Sequence, residues 1–251
     1  MLEHLALLEL LEHQLAPELV VHLAGIAFVA HGDVDAIYRT NVVGTRNLLG
    51  AVAKCGCKPQ LVLLASSANI YGNATVEPID ETTPAAPAND YAVSKLAMEY
   101  MARLWFDQLP ITLVRPFNYT GARQSLDFLL PKIVDHFKRR APVLELGNLD
   151  VVRDFSDVRL VAKRYRLLLE AGIPGETFNI CSGQGHSLLE VVQIMRELTG
   201  HDPKIRVNPA LIRANEVHRL IGSRAKLDTA IGSVPDIPLR DTLQWMLESP
   251  A

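Results

Sequence analysis

The sequence is poor in the residues that mark several common protein classes. Only three of its 251 residues are cysteine, and the pair Cys55 and Cys57 with a distant Cys181 suits neither a disulfide framework nor a closed zinc site. Reduced, structural thiols fit this pattern better. The eight histidines show no HExxH or comparable ligand spacing, so we expect no metal.

Charge and hydropathy exclude two further classes of partner. The net charge is -3 and the pI is about 6.2, and the basic cluster at residues 138–140 is typical of a solvated helix end. No uninterrupted apolar run approaches the length of a membrane span, and Glu3 stands where a signal peptide would carry positive charge. We therefore expect a soluble, cytoplasmic protein that binds neither nucleic acid nor membrane.

Short apolar runs alternate with helix-like segments along the chain. The runs are ELVVHLAG, QLVLLAS, ITLVRP and TFNICSG, and each is followed by an amphipathic stretch. Apolar strands that alternate with helices predict a parallel sheet covered on both faces. The leucine spacing near the N-terminus also predicts a helix that ends at Pro17. The fold class is therefore α/β, with a doubly wound parallel sheet.

Small and polar residues follow these runs, at the sheet edge where α/β proteins bind ligands. Ala24–Gly25 would let a flat ligand lie close to the backbone, whereas His22 beside them is also typical of a core residue. Ser66 and Ser67 can donate to a carbonyl oxygen or satisfy a turn backbone. Asn118, after the third run, can hold a polar ligand.

The stretch NDYAVSK places Tyr91 and Lys95 one helical turn apart. Alone, this spacing also fits a surface tyrosine beside a solvated lysine. However, the pair comes after a predicted strand that ends in two serines and before the predicted strand that contains RPFN. A free phenol has a pKa of ~10, so it needs a neighbouring cation to exchange its proton at neutral pH, and Lys95 would supply that field. The ordered set favours redox chemistry at a carbonyl.

These motifs together resemble the extended short-chain dehydrogenase/reductases of the nucleotide-sugar epimerase/dehydratase type. The resemblance runs from residue 18 to the end and is carried by HLAG, NVVGT, SSANIYG, YAVSK, RPFN, VRDFSDVR, FNICSG and RANEVHRLIGSRAKL. The later motifs are most similar to those of GDP-6-deoxy-D-mannose reductases, with GDP-mannose 4,6-dehydratases as close relatives. The resemblance implies a Rossmann-like dinucleotide domain and a smaller α/β part for the nucleotide sugar.

The resemblance also implies the roles of individual residues. The catalytic residues would be Ser67, Tyr91 and Lys95. The NADP or NAD cofactor would contact Tyr91 and Lys95 together with His22, Ala24, Gly25, Asn41 and Ser66. The GDP-linked deoxyhexose would contact Ser67, Asn69, Asn118, Arg153, Arg213 and Glu216. Relatives also commonly form homodimers through two long helices, which here contain Asn41 and Tyr91.

Asn69 separates the candidate reactions. Dehydratases similar to this chain carry a glutamate at this position, two residues before the tyrosine of the turn, and an amide cannot replace it in acid/base work. The hypothesis is therefore reduction of GDP-4-keto-6-deoxy-D-mannose to GDP-D-rhamnose. The alternatives are a GDP-mannose 4,6-dehydratase, an NAD-dependent epimerase, and a non-catalytic sugar-nucleotide binder.

The sequence departs from the family at its start, since it has no G-x-x-G-x-x-G turn. ELVVHLAG resembles the family's fourth strand, so we expect that at least one βαβ unit of ~30 residues or more is absent and that the dinucleotide domain is incomplete. We expect this domain at 1–120 and 150–183, and the nucleotide-sugar part at 121–149 and 184–251. A shortened form of an active enzyme is favoured because the catalytic residues remain, and a binder without redox turnover is the alternative.

Overall fold

A computed structural model describes residues 16–27, 32–56, 58–212 and 216–250. The strands are β1 (Leu19–His22), β2 (Leu61–Ala65), β3 (Ile111–Pro116), β4 (Asn118–Thr120), β5 (Val143–Leu146), β6 (Val152–Asp157), β7 (Thr177–Ile180), β8 (Gly185–Ser187), β9 (Lys204–Val207) and β10 (Arg219–Leu220). The helices are α1 (Val34–Tyr38), α2 (Thr45–Lys54), α3 (Asp90–Arg103), α4 (Leu129–Lys138), α5 (Val158–Ala171), α6 (Leu188–Thr199), α7 (Ala225–Ile231) and α8 (Leu239–Glu248). The helix expected before Pro17 lies outside the described residues.

The main sheet contains the four strands that the apolar runs predict. Its order is β1-β2-β3-β7 and every pair is parallel, with Leu19 opposite Leu61 and Leu113 opposite Thr177. The α/β class with a parallel sheet is therefore confirmed. Strand β1 lies at the edge of this sheet among the described residues, and half of its side chains are exposed.

Alternate residues of the central strands face two different helical layers. Val62 and Leu64 pack with residues of α2 and α3, whereas Leu63 packs with residues of α5 and α7. Because side chains alternate along a strand, both faces of the sheet are buried, and this explains why the strand sequences are continuously apolar.

Smaller sheets lie beyond the main one. Strand β6 pairs with β4 and β10 in parallel and with β8 in antiparallel, and β5 pairs with β9. A third apolar cluster joins α4, α6 and α8 to β5 and β6. We did not predict these short strands, since most hold two to four residues. The proposed division of the chain into two parts stays a prediction.

The helix ends follow local capping chemistry. Asn89 begins α3 by accepting from the backbone N–H of Ala92, so Tyr91 stands in the first turn. Ser187 and Glu190 form a capping box at the start of α6, and Gly200 ends that helix in the left-handed region.

No helix in the described part of the chain is long and apolar enough to cross a membrane.

The cysteines differ in their oxidation state. Cys181 is free and buried, as expected, but Cys55 is disulfide-bonded, which corrects our expectation of a reduced thiol at that position. The tight turn after α2 brings Cys55 close to the sheet, where its side chain is also buried. Cys57 lies outside the described residues.

Candidate active site

The carboxyl ends of β1, β2 and β3 meet at a cavity of about 340 Å³. Nine of the residues that we expected at the site line it, and they are Gly25, Ser66, Ser67, Asn69, Tyr91, Lys95, Asn118, Arg153 and Glu216. Parallel strands end at one edge of their sheet, so residues that are distant in sequence come together there. The cavity is therefore the candidate active site.

Tyr91 is a buried phenol at the start of α3, with only 7% of its surface exposed. Burial raises its pKa to about 12, whereas the nearby Ser67 hydroxyl acts in the opposite direction. At neutral pH the group is therefore a protonated phenol and a potential proton donor. The lowering contribution that we expected from Lys95 comes here from Ser67.

Lys95 follows one turn later on α3 and is also buried. Its ammonium donates to the carbonyl oxygen of Ala65 at 2.9 Å, and burial lowers its pKa to about 8. A Cβ atom at Gly25 would come within 3.1 Å of Lys95 Nζ and 2.9 Å of Asn41 Oδ1. Glycine at position 25 therefore allows the backbone to pass close to the ammonium.

The serines after β2 occupy different environments. Ser67 caps the 3₁₀ turn Ala68–Tyr71, and its hydroxyl accepts from the backbone N and from Nδ2 of Asn69, both at 3.2 Å. Ser66 Oγ is buried and has no hydrogen-bond partner among the described residues. An unpaired buried hydroxyl on a cavity wall suits a polar group of a bound ligand.

Asn41 is fully buried but does not line the cavity. It lies in a π-helical turn, Arg39–Gly44, between α1 and α2. Its amide binds both backbone groups of Ile26 and donates to Ser94 Oγ at 2.9 Å. Asn41 therefore ties the loop after β1 to helix α3, and its expected contact with the cofactor stays a prediction.

His22 and Ala24 also lie away from the cavity wall. The His22 ring is 2.9 Å from Thr45 Oγ1, which shows the satisfied histidine that was the alternative interpretation. Burial, and then the nearby charge of Lys95, lower the pKa of His22 to about 4. The backbone of β1 thus reaches the cavity at Gly25, while His22 and Ala24 do not line it.

This lowered pKa makes stability depend on pH. As the pH falls, the imidazole of His22 gains its proton near pH 6.5 in the unfolded chain but only near pH 4 in the folded chain. The contribution of His22 to the free energy of unfolding is therefore complete above pH 6.5 and is lost as the pH drops towards 4. We expect a loss of about 2 kcal/mol in the free energy of unfolding, after allowing for partial exposure. His22→Gln keeps a hydrogen-bonding group and should flatten this slope in urea titrations relative to the unmodified chain. An unchanged slope in His22→Gln would show that other groups govern it.

Charged residues meet at the other side of the cavity. Arg153 Nη2 is 2.6 Å from Glu216 Oε1, and both side chains are mostly buried. We expected each to contact a nucleotide sugar separately, whereas the structure pairs them, so an anionic ligand at Arg153 would compete with Glu216. Asn118 Nδ2 has no partner among the described residues and is a further free donor. Arg213 lies outside the described residues.

Aromatic side chains complete the wall, and sequence reasoning did not select them. Phe117 and Tyr119 flank Asn118, while Phe128 and Phe155 come from the segments before α4 and within β6. Apolar walls with few polar groups are usual for small-molecule sites. The motif RPFNYTG contains Phe117 and Tyr119 and could have indicated these two aromatic residues, because alternate residues after the end of a strand can line one cavity.

Comparison with known proteins agrees with this geometry. The sequence profile of GDP-mannose 4,6-dehydratase matches residues 2–246. The chain belongs to this family. The resemblance to extended short-chain dehydrogenase/reductases is thereby confirmed, as is the class of NAD(P)-dependent enzyme.

Two relatives with assigned activities are similar to most of this chain. GDP-6-deoxy-D-talose 4-dehydrogenase of Aggregatibacter actinomycetemcomitans is 35% identical over 86% of this chain and 74% of its own length. GDP-6-deoxy-D-mannose reductase of Pseudomonas aeruginosa is 34% identical over 92% of this chain and 79% of its own length. Both names describe redox chemistry on a GDP-linked deoxyhexose.

Solved structures of the family superimpose closely. The protein in the crystal structure of a putative epimerase from Burkholderia cenocepacia J2315 is 51% identical to this chain. The two superimpose with a TM-score of 0.92, and the match covers 98% of this chain and 80% of that one. The structure of RMD from Pseudomonas aeruginosa complexed with NADPH is 33% identical, with a TM-score of 0.88, over 96% of this chain and 85% of that one.

Proposed function

We propose that the protein reduces the 4-keto group of GDP-4-keto-6-deoxy-D-mannose and forms GDP-D-rhamnose. The observation that carries this proposal is the meeting of Tyr91, Ser67 and Lys95 in one cavity beside the pair Arg153 and Glu216. A protonated phenol and a hydroxyl donor suit a carbonyl oxygen that becomes an alcohol. The similarity to the mannose reductase supports the substrate class.

The cavity fits the reacting end of a nicotinamide cofactor, which supplies the hydride when bound. Ser66 offers an unpaired buried hydroxyl, Lys95 a buried ammonium, and Gly25 a close backbone approach. These residues would hold the nicotinamide and its ribose, either as NADP or as NAD. No G-x-x-G-x-x-G turn in this sequence is available for the pyrophosphate.

Each residue then has one task in the reduction. Ser67 donates a hydrogen bond to the keto oxygen and orients it. Tyr91, which is protonated at neutral pH, gives its proton to that oxygen as the negative charge develops. Arg153, once it leaves Glu216, can bind the diphosphate with its guanidinium fork, and Asn118 can donate to the sugar.

A second product is supported by the similarity to the talose 4-dehydrogenase. Mannose and talose differ only at C4, so the face of the ketone that is reduced decides between them. Dehydration is disfavoured because Asn69 lines the cavity where an acid or base would be needed. Epimerisation and binding without turnover remain the alternatives.

Cofactor stoichiometry tests the proposal. We expect one NADPH or NADH to be oxidised for each GDP-deoxyhexose formed, with NMR of the sugar distinguishing rhamnose from 6-deoxytalose. Interconversion of the two GDP-deoxyhexoses without net cofactor consumption would indicate an epimerase. Binding of GDP, with neither NADPH binding nor turnover, would indicate the non-catalytic binder and overturn the proposal.

We also propose a homodimer formed by the continuous helix around Asn41 and by α3. The exposed side of α3 presents Tyr100, with Arg103 stacked over its ring, and Leu104 directly follows the helix. Exposed large apolar residues of this kind favour a partner. Sedimentation velocity should show a dimer that Tyr100→Asp dissociates, and a monomeric unmodified chain would contradict this.

A further inference from the structure

We propose that Asn73 is a positioning residue that fixes the segment 216–218 and, through this segment, directs Arg153 at the cavity wall. The inference rests on the proposed function for its ligand, a GDP-linked sugar, but the hydrogen bonds that carry it lie within the protein. Sequence reasoning did not select Asn73, and the residue does not line the cavity.

The side-chain amide of Asn73 binds the backbone on both sides of Val217. Its Nδ2 donates to the carbonyl oxygen of Glu216 at 3.1 Å, and its Oδ1 accepts from the N–H of His218 at 2.9 Å. A side-chain amide offers a donor and an acceptor as a peptide group does, so Asn73 pairs with this segment as a neighbouring strand would. Between the two bonds, the Val217 side chain is buried in one apolar cluster with residues of the turn Ala68–Tyr71.

The backbone that carries Asn73 is held in place by its neighbours. Asn73 directly follows Gly72, whose φ is +56° and whose N–H donates to the carbonyl oxygen of Asn69. A Cβ atom at Gly72 would lie 1.9 Å from the carbonyl oxygen of Ala86, so a glycine is required there. The N–H of Ala86 in turn donates to the carbonyl oxygen of Ile70 at 2.8 Å. Asn73 therefore extends from a fixed turn.

The segment that Asn73 holds supplies hydrogen-bond acceptors to Arg153. Nη2 of Arg153 donates to Glu216 Oε1 at 2.6 Å, and Nη1 donates to the carbonyl oxygens of Val152 and His218 at 3.0 and 3.1 Å. Two of these three acceptors belong to the segment 216–218. When a phosphate replaces the Glu216 carboxylate, the bonds of Nη1 can remain. Asn73 thus keeps the guanidinium directed through His218.

Other contacts join the same parts of the chain but lie further along it. Arg219 donates to both carboxylate oxygens of Glu77, at 2.9 and 2.8 Å, and both side chains are exposed. The N–H of Ile79 donates to the carbonyl oxygen of Ile221 at 2.9 Å. These bonds involve residues after position 218 and none of the acceptors of Arg153. The pair of Arg219 and Glu77 therefore provides a control.

Amide hydrogen exchange, followed by NMR in the full chain, tests the positioning without a ligand. Asn73→Ala should speed the exchange of the His218 amide about tenfold, because this N–H loses its acceptor. Asn73→Asp keeps an acceptor oxygen and should retain the protection of His218. Exchange of the Leu113 amide in the main sheet should be the same in both variants, which separates the loss of this contact from a loss of overall stability.

Calorimetry with GDP as the probe tests the consequence for Arg153. Asn73→Ala should weaken GDP binding about fivefold, because a guanidinium that is not held must be ordered on binding. Glu77→Gln is the matched control and should change neither the exchange of His218 nor the GDP affinity by more than about twofold.

Two results would overturn the proposal: an unmoved exchange rate of His218 in Asn73→Ala, or a GDP affinity of Asn73→Ala no weaker than that of Glu77→Gln. An unmodified chain that does not bind GDP would contradict the proposed function and the ligand named here, while the exchange of His218 would still decide the positioning. Loss of carbonyl reduction alone would concern only the proposed function.

Discussion

Tyr91→Phe should lower kcat for carbonyl reduction by roughly a thousandfold, with KM nearly unchanged. The substitution removes only the hydroxyl that donates the proton, and the ring keeps its packing at the start of α3. The phenol is buried and protonated at neutral pH, and a phenylalanine ring offers no proton in its place. Initial rates with saturating cofactor measure the effect.

Tyr119→Phe is the matched control for this prediction. Tyr119 also lines the cavity, from β4, but it is partly exposed and lies outside the pair formed by Ser67 and Tyr91. We expect it to retain activity within about threefold. If Tyr91→Phe kept more than a tenth of the normal kcat, the phenol would not be the proton donor.

Glu99→Leu should lower the free energy of unfolding by about 3–5 kcal/mol. Glu99 on α3 and Arg115 on β3 form two hydrogen bonds of 2.9 and 2.7 Å, and both residues are buried. Without the carboxylate, the guanidinium stays buried with its charge uncompensated, although its bond to Tyr71 Oη remains. Urea unfolding of the variant measures the loss.

Two comparisons separate charge burial from simple loss of a contact. The exposed pair Arg240 and Glu197 offers a control, since Glu197→Leu should cost less than about 1 kcal/mol. Glu99→Leu combined with Arg115→Leu should recover much of the stability, because no unpaired charge is left. A Glu99→Leu variant as stable as Glu197→Leu would contradict this explanation. The pair also fixes the helix that carries Tyr91 and Lys95 to the sheet.

Much of the main sheet and of the cavity could be predicted from the sequence. Four apolar runs correspond to the four parallel strands, because a strand that is buried on both faces has apolar residues at successive positions. Tyr91, Ser67 and Lys95 line one cavity, as the order of the motifs indicated, and the catalytic roles that the family resemblance implies for them stay predictions. The strands β4 and β10 were missed, since two or three residues give no periodic signal.

At the site, the sequence left the partner of each side chain open. Sequence spacing brings Lys95 near Tyr91 but cannot show that its ammonium turns to Ala65. Arg153 and Glu216 are separated by 63 positions, so their ion pair follows only from the fold. His22 and Asn41 belong to family motifs, yet their hydrogen bonds are made within the protein. The hydrogen-bond and ion-pair partners of these side chains depend on tertiary contacts, which cannot be predicted from the local sequence.

Transfer of deuterium from labelled reduced cofactor to the sugar tests the central claim most directly. With GDP-4-keto-6-deoxy-D-mannose and deuterium-labelled NADPH, we expect a GDP-deoxyhexose that carries the deuterium at C4, and transfer that is roughly a thousandfold slower with Tyr91→Phe. A product without deuterium at C4, or transfer that does not need the Tyr91 hydroxyl, would contradict the account.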